Sequence, residues 1–464
     1  MSNNLSAPKW VADSVFYQIF PERFANGDPG NDPHGVVPWG SKPTREDFMG
    51  GDLQGILDRL PYLQDVGVTA IYLTPIFEAR TNHKYDTCDY MKIDPSFGDA
   101  ELLRKVVDGA HERGIRIILD AVFNHCGDGF WAFEDLKERG ASSNYAPWFI
   151  VDSYPIHQNP PNYQTYGVTW YLPKLDTGYP EVREYLLKVA TYWMEACDID
   201  GWRLDVPWKI PIDFWREFRE RVKRIKPDAY IVGEIWRDPS PWLRGDTFDG
   251  VMNYPLRQHI LDFCVYEYMD AEDFNFEIGH LRDVHGHSAP YQLNLLGSHD
   301  TARILTLCDE DVDRAIMAIA FIFTYVGAPM IFYGDEVGLT GEDDPDCRKS
   351  MIWDETRWRP RLVDAYRALI RARNEHKAMR SGDFEPLYIF NGVYAYQCTH
   401  EEDKVIVVLN PREKRQRVKI PLPVRTLEQR TWVDAISGTQ FFEREGHIQI
   451  NDLPSKKAYV LVSE

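Results

Sequence analysis

Short runs of apolar and β-branched residues recur along the chain, at Val15–Phe20, Ala70–Leu73, Ile115–Val122, Ile199–Val206, Ala229–Ile235, Gly250–Met252, Leu293–Gly297 and Ala328–Tyr333. Between them lie segments whose apolar residues follow the helical repeat, among them Glu101–Arg113, Glu181–Cys197, Ile212–Ile225 and Asp311–Thr324. Strands that are apolar nearly throughout, rather than alternating, are those buried on both faces of a parallel sheet. Eight such strand–helix units predict a closed (β/α)8 TIM barrel rather than an open sheet.

Two stretches break this rhythm. His125–Asp176 contains no clean strand–helix unit and is rich in Pro, Tyr, Trp and Asn, which predicts a small domain inserted after the third strand. Beyond Ala378 the helical pattern gives way to alternating runs at Val393–Cys398, Lys404–Leu409, Arg417–Ile420 and Ala458–Val462, separated by turn residues. They predict a C-terminal antiparallel β-sandwich. The expected organisation is a barrel over 1–124 and 177–378, an inserted domain over 125–176 and the sandwich over 379–464.

Charge narrows the choice of partner. The 464 residues include 52 Lys and Arg against 72 Asp and Glu, a formal charge of −20. A chain this acidic repels phosphate backbones, so nucleic acid and anionic membranes are excluded as expected partners. No run reaches the ~18 apolar residues of a bilayer-spanning helix. The opening MSNNLSAPKW lacks the basic and apolar regions of an export signal. The seven cysteines (88, 126, 197, 264, 308, 347 and 398) are scattered without a CxxC pair, as suits reduced thiols. The expected location is the cytoplasm.

In a barrel the chemistry lies at the carboxyl ends of the strands. Four of the runs end in acids: LDAVFNH (Asp120, Asn124, His125), GWRLDV (Arg203, Asp205), IVGEIW (Glu234, Trp236) and LLGSHD (His299, Asp300). An Asp just past a strand is often only a helix N-cap. Four such ends in register, one of them carrying a Glu that caps poorly, point instead to a shared cavity. Several carboxylates facing one cavity suit glycoside hydrolysis, which needs one acid to protonate the leaving oxygen and another to attack. Arg203 lies two residues before Asp205 and so on the same side of the strand. It is expected to keep Asp205 ionised as the nucleophile. Glu234, flanked by apolar residues and other carboxylates, is expected to be the general acid.

These segments resemble the α-amylase superfamily, glycoside hydrolase family 13. The resemblance runs through GDLQGI (Gly51–Ile56), DAVFNH (Asp120–His125), LPKLD (Leu172–Asp176), GWRLDV (Gly201–Val206), GEIW (Gly233–Trp236), SHD (Ser298–Asp300) and GDEVG (Gly334–Gly338). It implies a retaining mechanism with Asp205 as nucleophile, Glu234 as acid/base and Asp300 as the third acid gripping the sugar. It also implies that Tyr85, His125, Arg203 and His299 contact that sugar. Within the superfamily, VFYQIFPERFANGDP (Val15–Pro29), NHKYDT (Asn82–Thr87) and GEDDPDCRKSMIW (Gly341–Trp353) resemble the neopullulanase, cyclomaltodextrinase and maltogenic-amylase group. There Asp344 and Arg348 correspond to a pair that holds the next glucose. Three departures stand out. LPKLD ends in an acid where the group has MPKLN. DVPWK (Asp205–Lys209) replaces DVANE. The group's N-terminal β-domain is not expected here, since Val15–Phe20 already reads as the first strand. A homodimer would then have to use another interface.

The loop NGDPGNDP places Asn26, Asp28, Asn31 and Asp32 at close spacing. By itself it reads more readily as a plain Asx-rich turn than as a cation site. The resemblance implies that these residues, with Gly51 and Asp52, bind a structural Ca²⁺. A second calcium site at Asn124 is disfavoured by Lys209. Trp170, Trp208 and Trp236 are candidate platforms for sugar faces, whereas Trp193, Trp202 and Trp215 are expected in the core. The expected activity is hydrolysis of α-1,4 bonds in short or cyclic maltooligosaccharides, with α-1,6 cleavage and transglycosylation left open. An endo-acting α-amylase and a glucan transferase remain alternatives. A non-catalytic scaffold of the same fold is the remote one, since Asp205, Glu234 and Asp300 are all present.

Overall fold

The computed structural model describes residues 7–423 and 430–463. Residues 1–6, part of the opening stretch compared with an export signal, lie outside them. All eight expected strands form. They are β1 (Phe16–Ile19), β2 (Ala70–Leu73), β3 (Arg116–Ala121), β4 (Gly201–Leu204), β5 (Tyr230–Ile235), β6 (Gly250–Asn253), β7 (Leu293–Leu295) and β8 (Ala328–Phe332). They close into a barrel in the order β1-β8-β7-β6-β5-β4-β3-β2. Every residue of these strands is buried except Arg116, which is intermediate. Burial on both faces is why they read as continuous apolar runs.

The register follows from close packing. β3 pairs with β4 so that Asp120 lies opposite Arg203, and β4 pairs with β5 so that Leu204 lies opposite Gly233. Gly201 opens β4 because a Cβ there would stand 2.1 Å from the Tyr230 carbonyl oxygen. The helices begin and end where their caps dictate. Asp52 accepts the Gly55 N–H to start Leu53–Val66, and left-handed Gly67 ends it. Asp99 and Asp311 cap Ala100–His111 and Val312–Thr324 in the same way.

Contacts divide the chain into two compact units. One comprises chiefly Tyr17–Met252 and Asp344–Met351, the other Lys9–Phe16, Asn253–Asp343 and Ile352–Glu464. In the first, the stretch after β3 is less irregular than its composition suggests. It contains a helix, Trp131–Arg139, and isolated bridges such as His125↔Lys174 and Val151↔Tyr163. The helix is short, and its apolar positions serve an aromatic core of their own. Phe133 packs on Phe149 and Tyr163 with ring centroids 5.0 and 4.9 Å apart. A second feature without a periodic signal is the hairpin Phe77–Ala79/Thr87–Ile93, whose connection carries Tyr85.

In the second unit the C-terminal strands β9 (Asp383–Phe390), β10 (Val393–His400), β11 (Asp403–Asn410), β12 (Gln416–Pro421), β13 (Thr431–Asp434), β14 (Gln440–Arg444), β15 (His447–Leu453) and β16 (Lys457–Ser463) form an antiparallel sheet. Their order is β9-β10-β11-β16-β13-β14-β15-β12. Val393, Ile406, Val408 and Leu461 from one end of that order share a core with Val418, Ile420, Ile448 and Ile450 from the other. The sheet therefore folds over itself as a sandwich.

Candidate active site

Strands buried on both faces have no water to offer a polar side chain, so each polar residue in them must find a partner. Asp120 on β3 is 1% exposed and collects three. Its carboxylate accepts from the Tyr72 hydroxyl at 2.5 Å, the Tyr85 hydroxyl at 2.9 Å and Arg203 Nη1 at 3.0 Å. Burial, the dominant influence, pushes its pKa up, while the Arg203 charge and these donors hold it down. Burial likewise works against the charge on Arg203, but the Asp120 carboxylate and its other neighbours outweigh it and raise the pKa. The guanidinium is thus a fixed cation.

Three acids share that cation. Besides Asp120, Arg203 Nη1 lies 2.9 Å from Asp205 Oδ1, and Nη2 lies 3.1 Å from Glu234 Oε2. The i, i+2 reading of Arg203 and Asp205 holds, but Arg203 is not reserved for Asp205. Nor is Glu234 surrounded chiefly by carboxylates and apolar groups. It accepts from Arg203, from the Val206 N–H at 3.1 Å and from the Trp236 indole N–H at 2.7 Å. Trp236, 41% exposed, is therefore tied to an acid by its polar edge while its rings remain open. Val206 follows Asp205 with φ 36° and ψ 48°. For a β-branched residue that is an outlier costing on the order of 1–3 kcal/mol.

Of the remaining expected residues, Tyr85 adjoins this cluster and His125 joins it through Tyr85. His125 is 1% exposed, stacks on Tyr166 at 4.9 Å and hydrogen-bonds the Tyr85 backbone. Burial lowers its pKa to about 3, so it is a neutral imidazole. Burial, then the Asp120 charge, raises the Tyr85 phenol well above its ordinary value. The Tyr85 loop is pinned by buried Lys84, whose Nζ lies 2.7 Å from Asp94. Arg348 Nη1 lies 3.0 Å from Asp344 Oδ1, and Arg45, absent from the sequence reading, approaches Asp344 at 3.2 Å. Tyr72 was also missed. Its signal was a phenol inside a wholly buried strand, which must have an acceptor. In the second unit His299 and Asp300 follow β7 and pair with each other, Nε2 to Oδ2, at 3.2 Å. Trp193, Trp202 and Trp215 are core residues, and Trp170 and Trp208 are exposed by 44% and 40%.

The Asx-rich loop is drawn together by Asp52, whose carboxylate accepts from the Gly27, Asp28 and Gly55 backbones and from Asn31 Nδ2. Asn26 Nδ2 donates to Asp32 Oδ1 at 2.7 Å. The buried amide oxygens Asn26 Oδ1 and Asn31 Oδ1 accept from nothing among the described residues. Orphaned amide oxygens beside Asp28 and Asp32 have the hard-oxygen chemistry of Ca²⁺. Among the described residues no group of three His, Cys, Asp or Glu gathers as a metal cluster. Such a site would therefore depend on amide and carbonyl oxygens. Asp52, with four donors on its two oxygens, is better placed to anchor the loop than to ligate.

No helix among the described residues is long and apolar enough to cross a membrane. The family described as "Alpha amylase, catalytic domain" matches residues 18–380, and "Maltogenic Amylase, C-terminal domain" matches residues 384–460. A cyclomaltodextrinase of Geobacillus thermopakistaniensis (strain MAS1) is 50% identical over 427 residues, 90% of this chain and 72% of that protein. An intracellular maltogenic amylase of Bacillus subtilis (strain 168) is 46% identical over 380 residues, 82% of this chain and 64% of that protein. The structure of a cyclic α-maltosyl-(1→6)-maltose hydrolase from Arthrobacter globiformis superposes with a TM-score of 0.89 at 43% identity, covering 98% of this chain and 100% of that one. The shared cation at the strand ends and these matches agree: the chain belongs to the α-amylase family, with a C-terminal domain of the maltogenic-amylase type.

Proposed function

We propose that the protein is a retaining hydrolase of α-1,4 bonds in short or cyclic maltooligosaccharides, with Asp205 as nucleophile and Glu234 as acid/base. The observation that carries the reading is the Arg203 guanidinium, which binds Asp205 and Glu234 side by side at the ends of adjacent strands. Retention needs two carboxyl groups close together, about 5–5.5 Å apart, whereas inversion leaves room for a water between them. In the first step an Asp205 oxygen bonds the anomeric carbon, the glycosidic C–O bond breaks, and the Glu234 proton goes to the departing oxygen. In the second, water attacks that carbon, gives its proton to Glu234, and releases the Asp205 carboxylate. A sugar hydroxyl in place of water gives transglycosylation by the same route.

Tyr85, His125 and Trp236 surround the reacting sugar; in the second unit, the Asp300–His299 pair has the chemistry of a sugar grip. Asp344 and Arg348 hold the neighbouring unit. The names of the relatives, one acting on a cyclic tetrasaccharide with α-1,6 links, support a cyclic substrate. Exposed Trp208, in the turn after Asp205, is a surface such a ring can stack on. The Asn26–Asp32 loop holds one structural Ca²⁺ through Asn26, Asp28, Asn31, Asp32 and the Gly51 carbonyl, on the support of the two orphaned amide oxygens. Seven free cysteines and the intracellular relative support a cytoplasmic location.

The test is a comparison of kcat/KM on cyclomaltodextrins, the cyclic tetrasaccharide, maltotriose, pullulan and soluble starch, with proton NMR of the first-formed anomer. The expected result is an α-anomer and a preference for cyclic substrates. Asp205→Asn and Glu234→Gln should each lose at least ~10²-fold in rate while remaining folded. A β-anomer formed first would overturn retention. Random internal cleavage of long starch in preference to short substrates would favour the endo-amylase alternative.

A further inference from the structure

The turn after β4 does more than connect. The parallel ladder between β4 and β5 ends at Leu204 opposite Gly233. Asp205 still sends its N–H to the Ala121 carbonyl on β3, at 3.1 Å. The next N–H, that of Val206, lies beyond the ladder and is given to the Glu234 side chain, at Oε2. Val206 is 2% exposed and stands in the left-handed region, directly before Pro207. Neither neighbour nor side chain favours this. A β-branched residue avoids positive φ, and a following proline pushes its predecessor towards extended conformations. Something must therefore hold it.

Two contacts do. The Lys209 N–H donates to the Val206 carbonyl at 3.1 Å, closing the Pro207–Lys209 turn. The indole N–H of Trp215, a wholly buried residue of the Ile212–Ile225 helix, donates to the Pro207 carbonyl at 3.0 Å. A chain of contacts thus runs from the helix core, through Pro207 and Val206, to one oxygen of Glu234, whose other oxygen is held by Trp236.

We infer that Val206 is a positioning residue for Glu234: the Trp215-pinned turn holds its backbone left-handed so that its N–H fixes the Glu234 carboxyl in place beside Asp205. The inference rests on the reading of Glu234 as the proton donor. Its function is geometric. A carboxyl that must deliver a proton to a glycosidic oxygen tolerates little displacement, and a shift of about 1 Å can cost ~10²-fold in rate.

The test uses two substrates. Cleaving maltotriose requires a proton on the leaving oxygen. α-Maltosyl fluoride releases fluoride ion and requires none in forming the glycosyl-enzyme, the step that kcat/KM reports. Trp215→Phe, which keeps a buried ring but removes the donor, and Val206→Gly, which frees the backbone, should each lower kcat/KM on maltotriose by about 10- to 100-fold and on the fluoride by less than about 2-fold. Glu234→Gln should show the same selectivity more strongly. Val206→Ala and Val206→Gly remove nearly the same packing, so their relative thermal stability reads the backbone alone. Glycine should equal or exceed alanine, the reverse of the ordinary order. Equal losses on both substrates for Trp215→Phe and Val206→Gly, or alanine more stable than glycine, would overturn the positioning role while leaving Glu234 as the acid. A Glu234→Gln variant without selectivity for maltotriose would remove the reading beneath it as well.

Discussion

His125 should weaken this protein's stability in mild acid by a measurable amount. Burial keeps its imidazole neutral, with the pKa lowered to about 3 from an ordinary 6.5. Between those values the unfolded chain takes up a proton that the folded protein refuses. The stabilisation is therefore complete above pH 6.5 and is lost progressively as the pH falls toward 3. At pH 5 the unfolded histidine is 1.5 units below its pKa, so at ~1.36 kcal/mol per unit the folded state loses about 2 kcal/mol. His285 in the second unit, lowered to about 4 by burial, acts with the same sign. A difference between two proteins isolates one histidine. Urea unfolding of the wild type and of His125→Gln, followed by tryptophan fluorescence at pH 8 and pH 5, gives two acid-induced losses. The variant's loss should be smaller by about 2 kcal/mol, whatever its stability at pH 8. Equal losses in the two proteins, or an NMR titration of His125 in the folded state with a midpoint near 6, would refute the assignment of a buried neutral imidazole.

Two further outcomes are expected. If the Asn26–Asp32 loop binds calcium, EDTA lowers the melting temperature and added Ca²⁺ restores it, by about 2.7 kcal/mol of stability at ~100-fold excess over the dissociation constant; a calorimetric melting temperature indifferent to both would leave the loop a plain turn. Arg348→Ala should lower kcat/KM by ~10- to 100-fold, the worth of a charge-assisted hydrogen bond, while Asp205 still forms its glycosyl-enzyme; an unchanged kcat/KM would remove the Asp344–Arg348 pair from substrate binding.

Much of this protein was legible before its structure. The eight barrel strands could be placed because burial on both faces forces an unbroken apolar run, and such a run is a property of contiguous residues. Four of the eight C-terminal strands could be placed as short runs between turn residues; of these only Gln416–Pro421 alternates in burial, whereas Val393–His400 and Asp403–Asn410 are buried in nearly unbroken runs. Strand ends are local too, which is why Asp120, Arg203, Asp205, Glu234 and Asp300 could be picked out as candidates. The hairpin carrying Tyr85 and the Trp131–Arg139 helix escaped because their stability comes from aromatic neighbours distant in sequence, and they leave no long periodic signal. Only the tertiary structure decided which charges meet. Strand spacing alone links Arg203 to Asp205, but the lateral register of β3, β4 and β5 puts Asp120 and Glu234 on the same guanidinium. It also turns Tyr72 from one more aromatic strand residue into a donor to Asp120. The same is true of Val206, whose left-handed backbone, and the donor it offers Glu234, exist because a tryptophan nine residues on is buried against the turn. Hydrophobic pattern is written along the chain and survives without contacts. Electrostatic partnership depends on distances across the barrel, which the order of residues does not contain.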